Sequence, residues 1–231
     1  MLKKNILNNA ILSCKNHRDL DKETIKKFTP GYTLMKNAGK VVFKVIKEKF
    51  KKKKKIKILC GPGNNGGDGF VVAKLLKENG YSNVYLYCLV NKKKLKGDAK
   101  LAAENFGDNF KSFSDLSISS RDVIIDGIFG SGLKKNISGN LKNIINKINL
   151  KNPYSISIDI PSGINGDTGQ IQGIALKSND TITFTRKKMG HLLLPGKEYC
   201  GNIKVKDIGI NLEKLLFKPN VFENHPENWK K

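Results

Sequence analysis

The stretch Ile56-Lys57-Ile58-Leu59-Cys60-Gly61-Pro62-Gly63-Asn64-Asn65-Gly66-Gly67-Asp68-Gly69 constrains this chain more than any other. A short apolar run of β-formers passes directly into glycine, proline and asparagine. Residues 70–80 follow, with apolar side chains at helical spacing and a glycine at the end. Strand, glycine-rich turn, helix is the opening unit of a doubly wound α/β fold. Glycines let backbone approach a ligand, and a helix start offers unpaired N–H groups to an anion.

As a pattern, Gly61-x-Gly63-x-x-Gly66 meets the dinucleotide fingerprint, which alone is weak evidence. The fingerprint also needs an acid after the second strand to hold a ribose. The second apolar run, residues 84–90, ends instead in Asn91-Lys92-Lys93-Lys94. No Gly-Lys-Ser/Thr follows the glycines, so a P-loop is excluded. The turn carries two adjacent amides and an acid, Asn64, Asn65 and Asp68. Either these serve a ligand, or Asp68 simply caps the helix.

The rest of the chain repeats the theme. Residues 19–28 and 33–50 read as helices, the second striped by Leu34, Met35, Ala38, Val41, Val42, Val45 and Ile46. A helix is predicted over 97–106 and a third strand over 122–129. A crossover helix follows over 140–148 and a fourth strand over 155–160. Further strands are predicted at 180–185 and, near an edge, at 203–208. Between them residues 186–191 read as a basic loop. With 231 residues, no internal repeat and no interior linker, the expectation is a single doubly wound, Rossmann-like, mostly parallel sheet with helices on both faces.

Oxygen-bearing side chains fall at the carboxyl ends of three predicted parallel strands: Asn64, Asn65 and Asp68, then Asp126, then Asp159 and Ser162. That edge is where open α/β sheets bind ligands. Asn65, Asp126 and Ser162, with turn carbonyls, form a hard-oxygen set suited to an oxygen-preferring cation. His17, His191 and His225 do not cluster with the cysteines, which argues against zinc. Lys188 is a candidate phosphate or acid/base partner, with a solvated surface lysine as the alternative.

The formal charge of +23, from 43 Lys+Arg against 20 Asp+Glu, could attract nucleic acid, an anionic membrane or phosphate-bearing small molecules. The excess is lysine accompanied by asparagine, the mark of compositional drift. The lysines at 51–55 carry no interleaved aromatic residue, so they read as a solvated connector. Cys14, Cys60, Cys88 and Cys200 lie far apart with no C-x-x-C, which suggests a reducing, cytoplasmic setting. The basic start lacks the apolar core of a secretion signal, and a mitochondrial address stays open. No apolar run reaches transmembrane length, so no membrane is expected as a partner.

Seven motifs occur in one order. They are Leu34-Met35-Lys36-Asn37-Ala38-Gly39, the Gly61 to Gly69 segment, Asp126-Gly127-Ile128-Phe129-Gly130-Ser131-Gly132, and Asp159-Ile160-Pro161-Ser162-Gly163. Thr181-Ile182-Thr183-Phe184, Lys188-Met189-Gly190 and Gly201-Asn202-Ile203 with Asp207-Ile208-Gly209-Ile210 complete them. Together they resemble the NAD(P)H-hydrate epimerase family, the YjeF N-terminal domain, over residues 10–212.

The resemblance implies an isomerase that interconverts the R and S forms of hydrated NADH and NADPH (NADHX and NADPHX). Asn64, Asn65, Gly66, Gly67 and Asp68 would bind the substrate, and so would Gly130, Ser131, Gly132, Leu133, Lys134, Lys135 and Asn136. Asp159 would contact it near the reacting carbon. A potassium ion would be held by Asn65, Asp126 and Ser162. Asp159, with Lys188 as a second candidate, would carry the proton. The family's helix motif has Glu where this chain has Lys36.

Residues 1–217 would form the epimerase domain. Residues 218–231 would be a tail resembling the link to an ADP-dependent dehydratase domain, fused or separate. A homodimer is implied as well. The alternative is a non-catalytic scaffold of the same fold, RNA-associated or protein-binding. The intact Asn65, Asp68, Asp126 and Asp159 favour the enzyme, with no specific nucleic acid as partner.

Overall fold

The computed structural model describes residues 7–224. Its centre is a seven-stranded sheet built from β2 (Ile56–Cys60), β3 (Val84–Cys88), β4 (Lys111–Ser112), β5 (Val123–Gly127), β6 (Tyr154–Ile158), β7 (Asp180–Phe184) and β9 (Asn202–Lys206). The spatial order is β4-β3-β2-β5-β6-β7-β9, and every neighbouring pair is parallel. β9 lies at an edge, as its sequence suggested. From β2 the chain winds outward to β3, then returns to β5 on β2's other side and winds away. That reversal between β2 and β5 is a topological switch point, where such sheets open a crevice.

Both faces of the sheet are covered, which is why its strands read as nearly continuous apolar runs. Ile56, Ile58 and Cys60 of β2 enter one core with Val42, Ile46, Phe70 and Leu76, from α2 (Gly31–Lys49) and α3 (Asn64–Glu78). Leu59 enters the other, with Ile124 and with Ile145 and Ile148 of α5 (Gly139–Lys151). Lys57 shares that second face. Its buried ammonium donates to Asp122 at 2.7 Å and to the Ser117 carbonyl at 2.6 Å. α4 (Gly97–Phe106) packs beside α3.

The helix after β2 begins at Asn64, six residues before its predicted start. Much of the glycine-rich segment is therefore helix, capped at Gly63. A Cβ on Gly66 would sit 2.0 Å from the Gly61 carbonyl oxygen, and one on Gly69 would sit 2.7 Å from Cys60 Sγ. The glycines thus let the helix lie against the strand that feeds it. Asp68 is inside the helix and buried, so it is no cap.

α1 (Cys14–Lys27) also starts earlier than its apolar pattern indicates, because the Ser13 hydroxyl accepts from the Asn16 N–H. Just before it, β1 (Ile11–Leu12) pairs in parallel with β8 (Lys187–Lys188), aligning Leu12 with Lys188. The stretch read as a basic loop is thus a strand and a 3₁₀ turn, and Lys188 is fully buried rather than solvated. A short α6 (Gly196–Cys200) leads into β9.

The tail folds back. The Ile11 N–H donates to the Val221 carbonyl at 2.9 Å, and Lys187 pairs with Glu223. Residues 1–6 and 225–231, the latter with His225, lie outside the described residues. Among those described, no helix is long and apolar enough to cross a membrane.

Candidate active site

The carboxyl ends of β2, β5 and β6 open onto a cavity of about 730 Å³. Asn64, Asn65 and Asp68 line it from α3. Gly130, Ser131, Gly132, Leu133, Lys134 and Lys135 line it from the turn after β5, and Asp159 from the end of β6. Three segments far apart in sequence meet there because parallel winding returns every strand end to one edge. Gly66, Gly67 and Asn136 do not line the cavity. Gly66 faces the Gly61 backbone, and a Cβ on Gly67 would sit 2.5 Å from the Met35 methyl carbon.

Asp159 is the best-connected group of the floor. Its backbone is left-handed, with φ of 69°. Its Oδ2 accepts from the Ser131 N–H at 2.9 Å, and its Oδ1 from the buried Lys188 ammonium. Lys188 also donates to Thr183 Oγ1 at 3.1 Å. A Cβ on Gly130 would stand 2.7 Å from Asp159 Oδ2, so only glycine leaves room for this contact. Burial alone would raise the Asp159 carboxyl. The charges of Lys188 and His17, with the bonds from Lys188 and Ser131, outweigh it and hold the group well below the usual carboxylate range.

His191 braces this pair from behind. Its Nδ1 accepts from the Lys188 N–H at 2.9 Å, which leaves Nε2 to donate to the Asp159 carbonyl at 2.8 Å. Burial, then the Lys188 charge, pushes its pKa down to about 4, so the ring is neutral. Asp68 shows the opposite response to Asp159. Burial, aided by the nearby Asp159 and Asp21 charges, holds it well above the carboxylate range. Two carboxyl groups lining one cavity are thus pushed in opposite directions, Asp159 toward the ionised form and Asp68 toward the protonated one.

Asp126 and Ser162 lie directly beneath the floor, fully buried. Ser162 Oγ donates to Asp126 Oδ1 at 2.6 Å and accepts from the Phe129 N–H at 2.9 Å. The Ser162 N–H and Ser157 Oγ donate to Asp126 Oδ2 at 2.8 and 2.9 Å. Burial raises the Asp126 carboxyl, against these bonds. The Asn65 side chain is buried with both its oxygen and its nitrogen lacking a hydrogen-bond partner. Orphaned buried amides are rare and call for a ligand. An amide oxygen, a carboxylate, a hydroxyl and turn carbonyls suit a hard monovalent or divalent cation.

Other lining residues were not singled out by sequence reasoning: His17, Arg18, Asp21 and Ile25 of α1, and Asp98 of α4. Nothing in their local sequence marks them, because α1 reaches the site through contacts 150 or more residues away, such as Cys14 N–H to Asp167 at 2.7 Å. Lys36 is exposed and sits over the Tyr32 ring, away from the cavity.

Residues 31–190 match the family described as YjeF-related protein N-terminus. An NAD(P)H-hydrate epimerase of Lentilactobacillus buchneri is 37% identical over 92% of this chain and 98% of its own length. A bifunctional NAD(P)H-hydrate repair enzyme, Nnr, of Coxiella burnetii is 35% identical over 92% of this chain but only 44% of its own. The crystal structure of the yeast protein ynu0 superposes with a TM-score of 0.73, covering 93% of this chain and 96% of that one. At 22% identity this is a likeness of fold alone.

Proposed function

This chain belongs to the YjeF-related N-terminal family, and from that premise we propose that it is an NAD(P)H-hydrate epimerase, interconverting the R and S forms of NADHX and NADPHX. The observation that carries the reading is the pair Asp159 and Asp68. Both line the switch-point cavity of a chain whose relatives bear that name; the Lys188 contact favours the ionised form of the first, and burial favours the protonated form of the second. The scaffold alternative has no such need of opposed carboxyl groups.

The chemistry follows from the hydrated ring. Its hydroxyl sits on C6 beside the ring nitrogen, whose lone pair can expel it once an acid donates a proton. Asp68 holds that proton and gives it to the leaving oxygen, which departs as water. The ring is left as a planar iminium cation. The Asp159 carboxylate stabilises the cation and accepts a proton from the water that adds to either face, forming the new C6–O bond. No electron leaves or enters. Lys188 stays bound to Asp159 and holds it ionised until water adds. The proton that Asp159 then accepts passes back to Asp68 and restores both groups, so Lys188 has a positioning role rather than one in proton transfer.

A potassium ion fits the set Asn65, Asp126 and Ser162, with the orphaned Asn65 oxygen as the supporting observation. Bound there, it would supply a positive charge that lets Asp126 ionise and orients Asn65 toward the cavity. A homodimer belongs to the same proposal. So does an ADP-dependent dehydratase, encoded separately or fused as the length of the bifunctional relatives suggests. A cytoplasmic location also belongs to it, on the strength of four free, buried cysteines. The test is an epimer-resolved chromatographic assay of the purified protein on mixed NADHX. Exchange faster than the spontaneous rate supports the reading, and exchange at background defeats it.

A further inference from the structure

The family match begins at residue 31, yet one wall of the cavity comes from α1, which ends at Lys27. His17, Arg18, Asp21 and Ile25 line the cavity, and their spacing puts them on one helical face. The helix is fixed in place. Cys14 N–H donates to Asp167 at 2.7 Å, His17 Nε2 lies 3.3 Å from the Phe184 carbonyl oxygen, and the preceding strand aligns Leu12 with Lys188. Through β8 the wall is therefore tied to Lys188, one of the residues that hold Asp159.

Charged groups along α1 are mostly occupied with one another. Lys15 pairs with Asp19 at 2.7 Å, Lys27 with Glu23 at 2.8 Å, and His17 approaches Asp21 at 3.5 Å. Arg18, Lys22 and Lys26 take no part in these pairs, and of the three only Arg18 lines the cavity. Arg18 is exposed, and among the described residues it makes no hydrogen bond or ion pair, although its side chain lines the cavity. Among the described residues, Lys134 and Lys135 are the lysines that share the lining with it. A guanidinium is always charged, and its planar fork matches two oxygens of one phosphate.

We propose that Arg18 anchors the dinucleotide substrate by its pyrophosphate bridge, so that α1 measures the phosphate end of the molecule while the nicotinamide end lies at Asp159. This rests on the epimerase reading and adds a binding residue to it. The phosphates lie far from C6 and keep their charge through the reaction. Arg18 therefore holds ground state and transition state equally, and its loss acts on KM rather than kcat.

The test measures ADP-ribose binding by calorimetry for the unchanged protein, Arg18→Ala and Arg18→Lys. Epimer exchange is followed in parallel on NADHX and on the hydrate of reduced nicotinamide riboside, which has no phosphate. Loss of a charged hydrogen-bonding partner should raise the ADP-ribose Kd about 10- to 100-fold in Arg18→Ala, with partial recovery in Arg18→Lys. KM for NADHX should rise alike with kcat retained, and the riboside hydrate should be unaffected. Unchanged ADP-ribose affinity in Arg18→Ala, no ADP-ribose binding by the unchanged protein, or an equal loss on the riboside hydrate would each overturn the proposal. Arg18-dependent ADP-ribose binding without any epimer exchange would instead overturn the epimerase reading and leave the anchor standing.

Discussion

Asp159 keeps a left-handed backbone that costs a non-glycine residue about 1–2 kcal/mol, and Ser131, Lys188 and His191 together hold it there. Because Lys188 is fully buried, the two charges stand or fall together. Asp159→Ala alone should destabilise the protein by about 3–5 kcal/mol by stranding the ammonium, and would confuse stability with catalysis. The double change Asp159→Asn with Lys188→Met removes both charges, and Asn tolerates the positive φ. It should recover most of that stability in urea unfolding, while epimer exchange falls to the spontaneous rate. Recovered exchange would exclude Asp159 as the reacting carboxylate.

His191 gives a pH signature. As pH falls, the unfolded chain protonates this ring near 6.5, but the folded protein does so only near 4. Between those values the unfolded state binds more protons, so stability falls with pH, by about 3 kcal/mol across the window. His191→Gln should flatten that decline in unfolding midpoints measured from pH 7 to pH 4. A slope unchanged by the substitution would show that other groups cause it. Asp159 was legible in the sequence, from its place at a strand end among turn residues. Its partner Lys188 was legible only as a candidate. The parallel pairing of β1 with β8 that buries it joins residues over 170 positions apart, and no local pattern records that.

At the scale of elements, strands and helices emerged clearly where apolar runs were long. Boundaries failed where glycine or a cap decided them. The segment 64–69 looks like a turn because glycine is a poor helix former, yet helix α3 uses it to reach the strand before it. Gly66→Ala tests this. The new methyl would meet the Gly61 carbonyl oxygen at 2.0 Å, so the helix start must shift. The expected loss is about 2–3 kcal/mol in urea unfolding with an unchanged m-value. A neutral or stabilising effect, as at an ordinary exposed helical glycine, would contradict the packing role. α1 shows the reverse problem. Its existence was readable, but its job as a cavity wall depends wholly on the tertiary fold.

Across the whole molecule, the switch point between β2 and β5 explains why the cavity lies where it does and why three distant motifs share it. The charge of +23 is separate from that geometry. The lysines at 51–55 precede β2, at the edge of the sheet opposite the cavity, and the lining itself mixes Arg18, Lys134 and Lys135 with four aspartates. Net charge could therefore not reveal the ligand, whereas the order of strand-end motifs could. The most direct measurement is the rate at which purified protein interconverts separated R- and S-NADHX, followed chromatographically in potassium and in sodium buffer. The account predicts exchange well above the spontaneous rate, with no NADH or NAD formed, and faster in potassium. Exchange indistinguishable from the protein-free control in both buffers would contradict it.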